Sequence, residues 1–268
     1  MLAVDVDERD YSWLRVLYNF RPNITMFFRP ELYPGHLVRA IPGIRVAILS
    51  EPIAAMSAGQ LRFTEESRLR HLVYSNMDWL SYHWRVYYDE GRRPEASALG
   101  FVIDEFRPLP IDTSVFRPPP PEAARDIDVF FVGKATPHRI ETLDFLRLHP
   151  GRFLWIAHGV SGSELAALLQ RSKVVLNVHA DGVPAAEPRV HLAAACGAVV
   201  LSERLSAPSG AGWPHVLEVD SITHDAIRLA SDAAEKSPKS TAPLNQLSVR
   251  SFLAEVMDRF APGVLGGR

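Results

Sequence analysis

A chain of 268 residues, 47% of them hydrophobic and 22% charged, has the composition of a folded protein with one large core or two smaller ones. Its formal net charge of -2 excludes the basic footprint of a general nucleic-acid or anionic-membrane binder. A single cysteine, Cys196, rules out an intrachain disulfide, and with no signal-peptide pattern in MLAVDVDERDYSW and no membrane-length apolar run, the expected setting is cytoplasmic.

Taken in chain order, the pattern opens with a helix-like segment, Tyr11–Asn19. Apolar runs at Ile24–Phe28, Val46–Leu49, Leu72–Tyr74 and Ala98–Ile103 read as strands, with an aromatic-rich helical pattern at Trp79–Tyr88. Asp104–Asp126 then carries six prolines, which fix φ and remove ladder donors, so it reads as an extended connector. Beyond it, strands are expected at Ile127–Val132, Phe153–Ala157, Val174–Val178, Val199–Ser202 and Val216–Val219. Helices alternate with them near Pro137–Leu148, Ser163–Arg171, Pro188–Cys196 and Ile222–Ala234. A last helix, Leu244–Phe260, follows the polar break Glu235–Pro243.

Two βα arrays on either side of a proline-rich hinge predict an α/β protein of two Rossmann-like, doubly wound domains facing across a cleft. The expected division is 1–108 for the first domain, 109–126 for the hinge, 127–243 for the second domain and 244–268 for a C-terminal helix returning to the first.

Open α/β sheets bind ligands outside the carboxyl ends of their strands, so the residues just past each strand are the candidates. In the second half these are Gly133 and Lys134, then Arg139 in the next helix, His158, His179, and Glu187-Pro188-Arg189 at a helix start. Glycine admits close backbone approach, lysine and arginine suit phosphate, and a helix opening at proline can face an anion. Ser161 and Glu164 have capping-box spacing. In the first half, Glu51 is the best carboxylate for acceptor binding or base work, and with Glu187 it is a candidate catalytic carboxylate. No Walker A loop, no G-x-G-x-x-G, no nucleophile elbow and no metal-ligand spacing is present, so no metal and no resident cofactor are expected.

The stretches LLQRSKVVLNVH and EPRVHLAAACGAVVLSE, with LPIDTSVFRP and DIDVFFVGK upstream, resemble the donor-side domain of bacterial GT-B-fold glycosyltransferases related to the spore-maturation group. There a strand of the type SKIVLNIH precedes a helix of the type E-x-x-R-x-x-E-x-x-x-x-G. The resemblance covers about Leu109–Glu203, and the first hundred residues loosely, through FFRPE and ILSEP. It implies a transferase of the hexosyltransferase type, moving a sugar from a nucleotide-diphosphate donor without a required metal to a glycan, lipid, protein or small-molecule acceptor. By the same resemblance Gly133 and Lys134 lie on the phosphate side, and Glu187 and Arg189 in the donor motif. The first domain is short for the fold. The chain departs from the pattern at Leu192, where the family's second glutamate meets the nucleotide ribose. Alternatives are a non-catalytic GT-B-like binding or scaffold subunit, and another nucleotide-binding α/β enzyme such as a sugar epimerase-like protein.

Overall fold

The computed structural model describes residues 12–206, 216–236 and 247–260. The chain divides into two compact units, Met1–Leu109 and Pro110–Arg268.

The first unit runs α1 (Ser12–Phe20), β1 (Ile24–Phe28), α2 (Gly35–Ala40), β2 (Ile44–Leu49), the hairpin β3 (Ala55–Ser57) and β4 (Gln60–Arg62), α3 (Glu65–Ser75), β5 (Trp84–Tyr87), α4 (Arg93–Ala98) and β6 (Glu105–Phe106). Its main sheet has the order β1-β2-β5-β6, parallel throughout. Every crossover steps in the same direction, so right-handed connections put α2, α3 and α4 on one face. Val38, Tyr74 and Ala96 accordingly meet Phe27, Ala47, Leu49 and Tyr87 in one core.

Three expectations change here. Leu72–Tyr74 is not a strand but the last turn of α3, because Thr64 and Ser67 form a capping box that commits the segment to a helix. Trp79–Tyr88 is not a helix. Trp79–Ser81 is a single 3-10 turn, and Trp84–Tyr87 is β5, the parallel neighbour of β2. Ala98–Ile103 is not a strand either, since Gly100 at φ +71° ends α4 and the strand forms later, at Glu105–Phe106, inside the proline-rich segment.

The second unit follows as β7 (Ile127–Val132), α5 (Pro137–Leu143), β8 (Phe153–Ile156), α6 (Gly162–Arg171), β9 (Ser172–Asn177), α7 (Pro188–Ala195), β10 (Val199–Glu203), β11 (Val216–Val219), α8 (His224–Lys236) and α9 (Val249–Phe260). The part of the expected last helix at 244–246 lies outside the described residues. The helix expected to continue to Leu148 passes into 3-10 geometry at Asp144, and Ser161 at the N-cap of α6 makes no side-chain cap hydrogen bond.

The sheet order is β8-β7-β9-β10-β11, all parallel. The chain leaves β7 in one direction to form β8, then returns past it to form β9. That reversal puts α5 and α8 on one face and α6 and α7 on the other. Val129, Val174 and Leu176 pack with Leu143 and Ile227 on the first face. Phe130 and Val175 pack with Leu169, Val190 and Ala193 on the second.

The half-buried Arg125 ties the connector to this unit. Arg125 donates to the carbonyls of Leu169 (3.4 Å), Ser172 (2.5 Å), Cys196 (3.0 Å) and Gly197 (2.9 Å), satisfying acceptors at the ends of α6 and α7. Farther along, Ile111 bonds through its N–H to Leu247 O (2.6 Å) and through its carbonyl to Val249 N–H (2.9 Å), fixing the approach to α9.

His191 lies on the buried side of α7, and burial pushes its pKa from 6.5 down to about 4. The unfolded chain therefore takes up a proton between these values that the folded chain refuses. Stability is complete above about pH 6.5 and declines as the pH falls towards 4, by at most ~3 kcal/mol from this group. Denaturant midpoints of wild type and His191→Gln between pH 7 and pH 4.5 check this: the variant is expected to lose less stability on acidification, and parallel curves would refute it.

Candidate functional site

The reversal of strand order leaves the carboxyl ends of β7 and β9 side by side, with no crossover helix closing the gap between them. The polar residues of this unit gather there. Arg139 reaches the gap from the third residue of α5, after Thr136, whose hydroxyl accepts the Arg139 N–H. Arg189 reaches it from the second residue of α7, behind Pro188 at the first helical position.

Their guanidinium groups converge on the carbonyl of Val178, just past β9, from Arg139 Nε at 3.0 Å and Arg189 Nη1 at 3.1 Å. Glu187 lies between them. Its carboxylate accepts from Arg139 Nη2 at 3.0 and 3.2 Å and pairs with Arg189 Nη2 at 2.5 Å. Arg139 also donates to Lys134 O (3.2 Å) and Arg189 to Asn177 Oδ1 (3.2 Å). Both cations stand over the ring of Phe131, 5.3 and 5.0 Å from its centroid, where the negative face of the ring favours them.

Gly133 is where this cluster meets the backbone. A Cβ there would stand 3.0 Å from Arg189 Nη2 and 3.2 Å from Arg139 Nη1, at a φ of +156°. A side chain there would crowd both guanidinium groups at the end of β7, in a backbone conformation that favours glycine. Arg139 is buried and the Arg189 side chain nearly so, and with Glu187 as their shared carboxylate the three groups carry one positive charge in excess.

Of the expected site residues, the structure brings Gly133, Arg139, Glu187, Pro188 and Arg189 together. Lys134 adjoins them through its carbonyl, while its ammonium is exposed and makes no ion pair among the described residues. His158 does not join. It is exposed at the end of β8, the edge strand on the far side of β7 from β9. His179 is turned inward, with Nε2 on Arg204 O at 2.8 Å and its backbone N–H on Glu203 at 2.7 Å. Burial, the largest influence, holds its pKa below the ordinary value.

Sequence reasoning missed Asn177, Glu203, His138 and Phe131. Asn177 donates to Ser202 Oγ at 2.9 Å and ties β9 to β10 while orienting Arg189. The available signal was polarity at the last position of a buried strand. Leu192, the departure from the family pattern, packs among apolar side chains that include Ile111, Ala195 and Leu247. Cys196 is buried, which pushes its thiol up to about 12, so it is no nucleophile.

In the first unit, Glu51 follows β2 at the carboxyl end of that sheet. Its Oε1 pairs with Arg29 at 3.1 Å and its Oε2 with Arg70 at 2.8 Å. Both oxygens are engaged, so proton abstraction by Glu51 requires one pair to open. Arg29 holds a left-handed backbone at φ +56°, unusual for a residue with a side chain. Glu31 beside it has a buried carboxyl whose pKa burial raises, and its Oε2 has no partner among the described residues. Among the described residues no group of three or more His, Cys, Asp or Glu side chains is placed to hold a metal ion, and no helix is long and apolar enough to cross a membrane.

Two substitutions separate structural from ligand-facing roles. Leu192→Glu forces a charge among apolar side chains and is expected to lower unfolding stability by about 1–3 kcal/mol, read as a lower melting temperature. Glu187→Gln removes the counter-charge of two guanidinium groups. The expected result is a loss of about 1–3 kcal/mol together with unchanged or tighter binding of phosphate-type anions. A fully stable Glu187→Gln would show that the carboxylate does not brace the crevice.

No protein-family model and no curated protein matches the sequence. Solved structures do match by shape. TarM superposes with a TM-score of 0.54 at 11% identity, over 92% of this chain and 57% of its own. Sucrose-phosphate synthase from Thermosynechococcus elongatus gives 0.52 at 12% identity, over 94% of this chain and 75% of its own. A candidate UDP-N-acetylglucosamine 2-epimerase from Listeria monocytogenes gives 0.51 at 9% identity, over 93% and 77%. The chain thus spans little more than half of TarM, and at these identities the likeness speaks for architecture alone. Two parallel-sheet α/β units, one of them reversing strand order at a cationic crevice, together with these superpositions, show that the chain has the GT-B fold expected from its sequence.

Proposed function

We propose that the chain is a glycosyltransferase that binds a nucleotide-diphosphate sugar at the carboxyl ends of β7 and β9 and passes the sugar to an acceptor hydroxyl. The observation that carries this reading is the pair of guanidinium groups, Arg139 and Arg189, held over Phe131 and Gly133 at the reversal of strand order. TarM and sucrose-phosphate synthase, which share the fold, are GT-B glycosyltransferases, so the architecture is one able to carry this chemistry, and it is the site residues that point to it.

In that reaction the bond between the anomeric carbon and the diphosphate oxygen breaks, and its electron pair stays on the oxygen. An acceptor oxygen bonds to the carbon and gives up its proton. The main electrostatic demand is the charge developing on the departing diphosphate. Fixed cations at a partly dry site meet that demand without reorganising. Arg139 and Arg189 supply fixed charge, and the exposed Lys134 ammonium is the mobile group able to close on the phosphates. In this reading the side chains supply the charge and no metal is required.

One observation favours a second reading, a binding subunit without turnover. The two carboxylates singled out as catalytic, Glu51 and Glu187, both have their oxygens in ion pairs. The two readings differ in turnover and not in binding. Release of nucleoside diphosphate from a bound nucleotide sugar, with and without candidate acceptors, decides between them.

Thermal unfolding in the presence of UDP, GDP and ADP tests the shared premise, because a ligand selective for the native state raises its melting temperature by mass action. Lys134→Ala is expected to weaken the binding nucleotide by about 1.5–3 kcal/mol, the scale of a hydrogen bond to a charged group. Arg171→Ala is the control. Its side chain pairs with Asp126 at 2.6 Å at the opposite, amino end of the sheet, and its loss should leave affinity unchanged. Equal losses in both variants, or none in Lys134→Ala, would remove Lys134 from the site. A melting temperature blind to all three nucleotides would remove the reading itself.

A further inference from the structure

The crevice contains a second polar device beside the arginine pair. Glu203 ends β10, and His138 is the second residue of α5, which follows β7. β9 lies between those two strands in the sheet. The contact between His138 Nε2 and Glu203 Oε1, 2.8 Å long, therefore spans the carboxyl end of β9. The other carboxylate oxygen accepts the His179 N–H at 2.7 Å, so Glu203 is pinned at both ends.

A carboxylate only accepts, so Nε2 carries a ring proton, and in the neutral imidazole Nδ1 then presents a lone pair. The carboxylate is the more buried partner, 14% exposed against 33% for the imidazole, so the acid stands behind and the ring in front. Gly182, at φ +74° in the loop after β9, passes along the ring edge. A Cβ there would lie 3.5 Å from His138 Nδ1 and Cε1. The loop thus reaches the ring without placing a side chain on it. Nδ1 itself makes no hydrogen bond among the described residues and is not sealed from solvent.

We propose that His138, oriented by Glu203, accepts a hydrogen bond from a hydroxyl group of the bound ligand, a ribose or sugar O–H lying beside its phosphates. This rests on the nucleotide-sugar reading given above and adds to it the group that reads the ligand's hydroxyls. The chemistry follows from the lone pair. An ionised phosphate offers only acceptors, which Nδ1 in this tautomer cannot serve, whereas the neighbouring Arg139 and Arg189 can. A hydroxyl donor next to a phosphate satisfies both devices at once. Glu203 acts as a positioning residue, holding the tautomer and the ring plane.

Calorimetry on the full chain tests this with three probes: the tightest binder among UDP, GDP and ADP, its 2′,3′-dideoxy counterpart, and its glucose ester. If the ribose is the donor, wild type prefers the ribonucleotide over the dideoxy form by about tenfold, and His138→Phe erases that preference. If the sugar is the donor, His138→Phe loses about tenfold for the glucose ester alone. Equal affinities of wild type and variant for all three probes would overturn the proposal, and so would one common loss for all three. Should His138→Phe not fold, the Nδ1 nitrogen resonance of wild type decides: it shifts on binding of the nucleotide or of its glucose ester if the hydroxyl bond forms, and a resonance stationary with both refutes it. Binding that responds to Lys134→Ala but not to His138 sinks this inference only. Wild type that binds no nucleotide sinks the functional reading and this one with it.

Discussion

The carbonyl of Val178 is where the second unit's architecture becomes chemistry. It accepts from Arg139, which arrives after β7, and from Arg189, which arrives after β9. Both can reach it only because the chain reverses direction between those strands and leaves their ends uncovered. The bond also solves a local problem. A carbonyl just past a buried strand has lost its ladder partner, and leaving it unsatisfied costs free energy comparable to a lost hydrogen bond. Two charge-assisted donors satisfy it, and in doing so they are positioned over Gly133 and Phe131.

The first unit makes the contrast. Its strands are laid down in sequence, β1-β2-β5-β6, with no reversal among the described strands. No crevice is therefore opened by topology alone, and its polar cluster is built differently. Arg29, Glu31, Glu51 and Arg70 meet at the ends of the adjacent strands β1 and β2, with Arg29 in a strained backbone region. Strain of this kind persists where surrounding contacts over-determine it. Here two glutamates hold the Arg29 side chain, while the buried hydroxyls of Tyr74 and Tyr87 lie near the Glu51 carbonyl.

The second unit was largely legible because its central strands are buried on both faces, and continuous apolar runs rich in β-branched residues, such as Val174-Val175-Leu176, have few other readings. The first unit was less so. α3 carries Leu69 and Leu72 on its exposed side, so its apolar residues do not trace a buried stripe, and its capping box was the better guide. β5, the run WRVY, contains Arg85, whose guanidinium leaves the sheet to pair with Asp104. An arginine among aromatics resembles an amphipathic helix until that partner is known. At the site, residues next to glycine or proline punctuation were legible, as with Gly133 and Pro188. Glu203 and His138 were not, because their meaning depends on β10 and β7 flanking β9, and sheet order is not written in any local pattern.

The charge balance of the crevice explains why Glu187 belongs there even if it never touches substrate. Two guanidinium groups stacked over one ring repel each other, and in a partly dry site that repulsion is weakly screened. A carboxylate between them makes the empty site compatible with folding, at the expense of part of the attraction available to an anion. The resulting arrangement of these three groups keeps one positive charge in excess and fixed in place, so little reorganisation would remain on binding the diphosphate of the proposed reading. Its geometry also assigns the flexible part of the work elsewhere. Arg139 and Arg189 are committed to backbone carbonyls and to Glu187, whereas Lys134, anchored through its own backbone to Arg139, keeps its side chain exposed. Two committed guanidinium groups with one exposed ammonium at their rim are the arrangement that the proposed reading would use to admit and hold a charged ligand.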